Sequence, residues 1–351
     1  MKIFILNVPT STQGQFMSCT VVVGGFFGDE GKGKLVSYIA IRDRPSITVR
    51  GGVGPNAGHK VEYQGRTYGL RMVPSAFVCP DSRLLIGPGV LVNPKVLLEE
   101  IKLTNTEDRL GVDQQCAIIE ERHIEEEKRN AHLTKKIGTT KTGVGVCQSE
   151  RTYRKAKLAR EIPEISRYLT DVPQELGDAI SQKRTVLVEG TQGTYLSLYH
   201  GTYPFCTAKD VIASAICSDV GIGPTAVDDV IVVFKAFVTR VGEGPLENQI
   251  SADELERKGW LEFGTVTGRP RRAAPFDFRL AKRAVMLNGA TQAAITKLDI
   301  VYPECKGVQS FEKLPQNAQK FIHEVESEIG TPVTLIGTGS STDQMVDRRK
   351  S

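Results

Sequence analysis

The chain has 351 residues, of which 40% are hydrophobic and 25% charged, with a formal net charge of +4. This composition excludes a disordered chain, and no apolar run approaches the ~18 residues of a membrane-spanning helix. The mild positive charge is spread along the sequence rather than gathered into an arm, which suits anionic small ligands as well as it suits nucleic acid.

Residues 1–16 hold only a short apolar run, Ile3 to Leu6, followed by polar residues and Pro9. They read as a disordered extension without a secretion signal, or as upstream sequence ahead of a start at Met17. Residues 17–351 read as one α/β domain with insertions, since no Pro/Ser-rich linker, low-complexity tract or repeat divides them. Seven cysteines (Cys19, Cys79, Cys116, Cys147, Cys206, Cys217, Cys305) form no CxxC and no Cys/His pair at metal spacing. That pattern predicts reduced thiols in a cytoplasmic protein.

Thr20 to Val23 is a β-branched run followed by glycines and then by helically spaced apolar residues, which predicts strand, glycine loop and helix. Buried-strand patterns recur at Ser46–Val49, Leu84–Ile86, Thr185–Val188, Val230–Phe234, Ala293–Thr296 and Val333–Ile336, separated by longer amphipathic or polar stretches such as 94–102, 117–136 and 314–329. The charged stretch 118–136 reads as a solvated helix. The rhythm predicts an α/β fold, a mostly parallel central sheet flanked by helices. The first loop adds the expectation of a P-loop-NTPase-like nucleotide site with a non-standard phosphate loop.

That loop, GlyGlyPhePheGlyAspGluGlyLysGlyLys at 24–34, has the composition of a phosphate cradle. Glycines let backbone N–H groups converge on an anion, the next helix adds the positive end of its dipole, and Lys32 or Lys34 can meet phosphoryl oxygens. Gly28 to Lys34 matches G-x4-G-K, but Leu35 stands where a Walker A loop carries the Ser/Thr that ligates Mg²⁺. Asp29 is then the natural carboxylate for metal or base duty.

A second glycine-dense loop, residues 51–60, carries His59 among small residues, a candidate general acid. ValLeuValGluGlyThrGlnGlyThr at 186–194 sets the Gln192 amide after a strand, where open α/β sheets collect ligands. GlyThrValThrGlyArgProArgArg at 264–272 brings three guanidiniums near Pro270, suited to carboxylate or phosphate. AlaIleThrLysLeuAsp at 294–299 ends in Lys-x-Asp, in which Asp299 can accept from a guanine edge while the Lys297 stem covers the base. Each segment alone also fits a turn or a solvated basic patch. A conventional GTPase, a non-catalytic nucleotide sensor and a nucleic-acid binder stay open on the motifs taken singly.

Taken in order, the segments resemble the adenylosuccinate synthetase family from about Val21 to Asp347. GlyAspGluGlyLysGlyLys, AsnAlaGlyHis, IleGlyThrThr (137–140), GluGly-x-GlnGlyThr, HisGlyThrTyrProPhe, ThrArgValGlyGluGlyPro (239–245), ThrGlyArgProArgArg and ThrLysLeuAsp all occur in the family's order. The short segment between Asp299 and Gly337 is similar to the compact archaeal form.

The resemblance implies a ligase that uses GTP to phosphorylate the 6-oxygen of IMP, then lets the amino group of L-aspartate displace phosphate. Adenylosuccinate, GDP and phosphate would leave, in the first committed step from IMP to AMP. It implies Asp29 as base, His59 as acid and Gln192 as their catalytic companion. GTP would meet Gly28, Glu30, Gly31, Lys32, Gly33, Lys34, Gly58, His59, Lys60, Lys297, Leu298, Asp299, Gly337, Thr338 and Gly339. IMP would meet Asp29, Lys32, Asn56, Ala57, Gly58, His59, Thr140, Gln192, Thr207, Val241 and Arg269, with Arg154 reaching in from the other subunit of a homodimer. Aspartate would meet Thr265, Val266, Thr267, Gly268, Arg269 and Arg271, and Mg²⁺ would meet Asp29 and Gly58. No nucleic-acid or membrane partner is implied. The chain departs from the family's usual residues at Phe26, Phe27, Lys141, Thr142, Val146 and Val266.

Overall fold

The structure, a computed structural model, describes residues 19–264 and 268–349. The extension expected over residues 1–16 lies outside the described residues. From Cys19 onward, β1 (Cys19–Gly24) passes through a bent glycine loop into α1 (Lys32–Asp43), and β2 (Ile47–Arg50) follows. The second glycine loop leads into an antiparallel hairpin, β3 (His59–Tyr63) and β4 (Arg66–Leu70), so His59 opens a strand. Next come β5 (Arg83–Ile86), β6 (Leu91–Val92), α2 (Pro94–Thr104), β7 (Leu110–Asp113) and β8 (Ala117–Ile118). Then α3 (Glu121–Arg129), a π-helical turn at His132–Ile137, α4 (Val144–Thr152), β9 (Leu169–Thr170) and α5 (Val172–Ser181) precede β10 (Val186–Glu189). After α6 (Ala213–Val220), the strands β11 (Asp229–Lys235) and β12 (Phe237–Val241) lead to α7 (Ala252–Arg257). The chain then runs through β13 (Arg271–Pro275), α8 (Phe278–Asn288), β14 (Gln292–Thr296) and α9 (Leu298–Val301). It closes with α10 (Gln316–Ile329), β15 (Val333–Gly337) and β16 (Met345–Asp347).

Ten strands form the central sheet in the order β16-β15-β14-β11-β1-β10-β2-β5-β7-β9. Every neighbouring pair is parallel except β15 with β16 at one edge. All seven strand patterns expected from the sequence fall in this sheet. Alternation sorts its side chains into two cores. Val21, Val23, Val188, Val232 and Ile295 pack on one face with Leu176, Ile216, Ala281 and Ile322 from α5, α6, α8 and α10. Val22, Leu187, Ile231, Val233 and Ala294 pack on the other with Leu35, Ile39, Leu97 and Ile101 from α1 and α2. Helices on both faces leave the carboxyl ends of the parallel strands as the place where loops gather.

The solvated helix expected over 118–136 is corrected. Residues 117–118 are a strand, α3 spans only Glu121–Arg129, and its His123 and Glu127 are buried. Glu127 faces inward because it accepts hydrogen bonds from the Thr139 hydroxyl and the Gly143 N–H, which tie down the loop after the π-helical turn. The antiparallel ladder of β12 with β13 was not expected from the sequence; it carries Arg271 as a first residue. Among the described residues, no helix is long and apolar enough to cross a membrane.

Candidate active site

A cavity of about 710 Å³ opens over the carboxyl ends of β1, β10, β11 and β14. The glycine loop after β1 forms its floor. A Cβ on Gly24 would lie 2.3 Å from the Gln192 carbonyl oxygen, and one on Gly25 would lie 2.1 Å from the Phe234 ring, so only glycine allows this approach. Glu30 is turned inward and does not line the cavity. Its Oε1 accepts from the N–H groups of Phe26 (3.1 Å) and Gly28 (2.8 Å), and its Oε2 accepts from Lys32 Nζ (2.7 Å). The loop is thus braced from within by a carboxylate. Helix α1 begins at Gly31, whose φ of 83° and missing side chain leave the first turn without a side-chain cap, and Gly31, Lys32, Gly33 and Lys34 line the cavity. Its dipole end points at whatever anion the cavity takes. Lys34 also has a structural duty: its ammonium donates to the carbonyls of Gly339 (2.6 Å) and Gln344 (2.7 Å), and burial pulls its pKa down to about 8.

His59 stands in a dry cluster assembled from three neighbouring elements. Arg50 closes β2, Glu189 closes β10, and both are fully buried, as is Ser75. Glu189 accepts from His59 Nδ1, from the Ser75 N–H at 2.7 Å and from the Ser75 hydroxyl at 2.5 Å, with Arg50 Nη1 3.9 Å away. A carboxylate only accepts, so the shared proton sits on Nδ1 and Nε2 is left with its lone pair; that atom is buried without a hydrogen-bond partner. Burial and the nearby Arg50 guanidinium bring the imidazole pKa down to about 4, against the opposing pull of Glu189. His59 is therefore neutral in the free protein, and an anion placed beside Nε2 would draw a proton onto it, with Glu189 ready to stabilise the imidazolium.

The opposite wall is ionic. Arg271 Nη2 lies 2.9 Å from Asp29 Oδ2, and Arg271 also pairs with Glu262. Glu262 Oε2 is 2.5 Å from the buried Lys235 ammonium, and Oε1 is 3.4 Å from Lys297 Nζ. Burial works against the ionised Glu262 carboxyl, but Lys235, Lys297 and Arg271 outweigh it and hold the pKa down at about 2. Asp29 (φ 60°), Gln192 (φ 63°) and Lys297 (φ 60°) all occupy the left-handed region, a local backbone cost concentrated where this cavity is built.

Most of the residues expected at the site meet here. Gly28, Asp29, Asn56, Ala57, Gly58, His59, Lys60, Thr140, Gln192, Thr207, Val241, Arg269, Lys297 and Gly339 join the α1 residues and Arg271 around the cavity. Asn56 Nδ2 donates to Thr207 Oγ1 (3.2 Å), and Arg269 Nη2 donates to the Gly138 carbonyl (2.8 Å). Leu298 is a core residue, and the Thr338 hydroxyl is turned to the Val308 carbonyl at 2.7 Å. Gly268, Asp299 and Gly337 do not line the cavity, and Asp299 Oδ1 is buried without a hydrogen-bond partner. Arg154 is exposed and does not line this cavity. Thr265, Val266 and Thr267 lie outside the described residues.

The unusual aromatic pair is accommodated by packing. Phe26 enters the core 4.9 Å from the Phe234 ring, while Phe27 lies under the Arg240 guanidinium at 4.5 Å. Thr142 pairs with Thr140 through their hydroxyls at 3.0 Å. The residues the motifs did not single out are Arg50, Glu189 and Lys235, and all three share a signal: a charge as the last residue of a largely apolar strand. Glu262 had no comparable mark. For Mg²⁺, the cavity offers the Asp29 carboxylate and the Gly58 backbone, hard oxygen donors of the kind that ion takes together with phosphate oxygens and water. Among the described residues no three His, Cys, Asp or Glu side chains cluster as an all-protein metal site.

A mostly parallel α/β sheet whose carboxyl edge gathers a glycine loop, Asp29, His59 and the Arg269 and Arg271 guanidiniums around one cavity has the layout of a nucleotide-dependent enzyme. The family model described as adenylosuccinate synthetase matches residues 21–164, 156–303 and 301–346, and the chain belongs to that family. It is 55% identical to the adenylosuccinate synthetase of Archaeoglobus fulgidus, covering 95% of this chain and 99% of that one. It is 53% identical to that of Thermococcus onnurineus (95% and 99%) and 51% identical to that of Methanocaldococcus jannaschii (95% and 97%). Among solved structures, fully ligated adenylosuccinate synthetase from Plasmodium falciparum superposes with a TM-score of 0.87 at 24% identity, covering 94% of this chain and 99% of that chain. Succinoaminodeoxyadenylate synthetase of cyanophage S-2L superposes with a TM-score of 0.79 at 24% identity, covering 95% and 96%. The two structures share the fold.

Proposed function

We propose that this chain joins L-aspartate to IMP at the expense of GTP, giving adenylosuccinate, GDP and phosphate. The observation that carries the reading is the meeting of Asp29, His59, the α1 amino end and the Arg269/Arg271 loop around one cavity. Each element answers a chemical need. The 6-oxygen of IMP is a poor leaving group, so it must first accept a phosphoryl group. Asp29 takes the N1 proton of IMP and makes that oxygen nucleophilic. His59, neutral in the free protein, takes a proton from solvent onto Nε2 as the anionic substrates bind and then meets the developing oxyanion and phosphoryl charge as a donor. The helix end and Lys32 meet the phosphates, and Asp299 with Lys297 receives guanine. Arg269 and Arg271 receive anionic groups, with Arg271 exchanging its contact to Asp29 for an aspartate carboxylate as substrate arrives.

Asp29 and Gly58 would hold Mg²⁺, which supplies charge neutralisation between the phosphates. Gln192, Asn56, Thr140, Thr207 and Val241 orient IMP. Exposed Arg154 supports a homodimer in which it reaches the neighbour's IMP phosphate. The seven cysteines are all free, which supports a reducing, cytoplasmic setting for one α/β domain over residues 17–351.

Two variants test these roles. Asp29→Asn is expected to abolish turnover while IMP still binds; near-normal turnover would remove Asp29 from the mechanism. Mixing Asp29→Asn with Arg154→Ala protein is expected to restore activity, because mixed dimers keep one complete site. Failure of such mixing, with both parents dimeric, would contradict the shared site.

A further inference from the structure

We propose that Glu262 is a positioning residue that fastens the neck of the aspartate loop to the sheet and so ties the aspartate subsite to the guanine subsite. The inference rests on the substrate assignments above. Glu262 and Arg271 face each other at the neck of this segment: the Arg271 N–H donates to the Glu262 carbonyl at 2.9 Å, and Phe263 bridges Pro270 just beside them. The same two residues pair through their side chains. Glu262 therefore closes the neck twice, once by backbone and once by charge.

Its carboxylate also reaches two strands of the central sheet. Oε2, shared with Arg271, is 2.5 Å from Lys235, which closes β11 and is 1% exposed. Oε1 accepts no hydrogen bond and faces Lys297, directly after β14, at 3.4 Å. β11 and β14 are adjacent and parallel, so one carboxylate spans the loop that presents Arg271 and the strand end that presents Lys297. Oε2 is the fixed half of the contact and Oε1 the looser half.

Three cations, Lys235, Arg271 and Lys297, share two carboxylates, Glu262 and Asp29. The surplus of one positive charge suits an anionic substrate. Without Glu262 the three cations repel one another, the neck loses its side-chain tie and Arg271 is left to Asp29 alone. Arg271 then no longer waits in the geometry a carboxylate requires. A residue that acts this way governs the affinity of two substrates more than the chemical step.

The experiment is steady-state kinetics of Glu262→Gln on the full chain with each substrate varied in turn. The expected result is an aspartate KM raised at least tenfold and a GTP KM raised about threefold to fivefold, with the IMP KM within twofold and kcat reduced less than the aspartate KM rises. Glu262→Asp, which keeps the charge, is expected to recover part of the aspartate KM. Because the lone Gln substitution leaves the buried Lys235 ammonium without its carboxylate, the double variant Lys235→Met/Glu262→Gln is measured beside it. That variant removes the buried charge yet leaves Arg271 and Lys297 unlinked, so its aspartate KM stays high. A kcat loss in both Gln-containing variants with all three KM values within twofold of the parent would overturn the proposal. Arg271→Leu separates the two levels of inference. If it leaves the aspartate KM unchanged, the substrate assignment itself is wrong; if it raises that KM while Glu262→Gln does not, only the link through Glu262 fails.

Discussion

Glu189 and Glu262 are both carboxylates at one sheet edge, yet they are held differently. Glu189 ends a strand and is gripped by His59, both donors of Ser75 and a nearby Arg50, all on rigid elements. Glu262 stands in a loop neck, with one oxygen shared between Lys235 and Arg271 and the other unbonded near Lys297. A carboxylate with both oxygens engaged fixes a partner's tautomer and direction; one with an open oxygen sets the position of a neighbouring arginine and the charge around it. On the proposed roles, the first arrangement serves the chemical step and the second serves binding.

The largest effect expected from breaking the first arrangement is at His59. His59→Asn is expected to lower kcat by about 10³-fold, the scale of a lost general acid, with IMP and GTP binding retained in equilibrium titration. Glu189→Gln is next, with a fall of about 10²-fold in kcat and little change in the aspartate KM, the reverse of the Glu262→Gln pattern. The same change leaves Arg50 buried without its carboxylate and is expected to lower unfolding free energy by about 3 kcal/mol in denaturant titration.

Acid sharpens the contrast further. His59 titrates near 4 in the fold and near 6.5 when unfolded, so between those values the unfolded chain binds more protons and stability falls with falling pH. The contribution is complete above about pH 6.5, and a loss on the order of 1–2 kcal/mol is expected by pH 5, absent in His59→Asn. Glu262, held at about 2, contributes in full above its unfolded value near 4.3 and loses that contribution only as pH falls below it toward 2. Denaturant midpoints measured from pH 7 to 5 should therefore report His59 and not Glu262. The smallest effect is expected at Phe27→Trp: the ring already lies under Arg240, and a larger aromatic keeps that contact, so kcat and each KM should stay within about twofold.

The sequence was most readable where one physical demand fixes the residue type. β1, β10 and β11 are apolar runs because parallel strands are buried on both faces, and their positions were evident. The glycine loop was evident because close backbone approach tolerates nothing else at Gly24 and Gly25. α3 misled because its charges suggested a solvated face, whereas Glu127 turns inward to hold the loop before α4, a tertiary demand that local pattern does not register. Arg50, Glu189 and Lys235 each broke an apolar run at its final residue, a mark whose meaning needs the strand order β11-β1-β10-β2. Glu262 was invisible because its partners come from β11, β13 and the turn after β14, far apart in the chain.

GTP turnover in this family serves the joining of IMP to aspartate. The direct measurement is the stoichiometry of products when the purified chain meets Mg²⁺, GTP, IMP and L-aspartate, with each omitted in turn. Adenylosuccinate, GDP and phosphate should appear in equal amounts, and product should vanish when any one substrate is left out. GTP hydrolysis that proceeds at the same rate without IMP and aspartate would contradict the account.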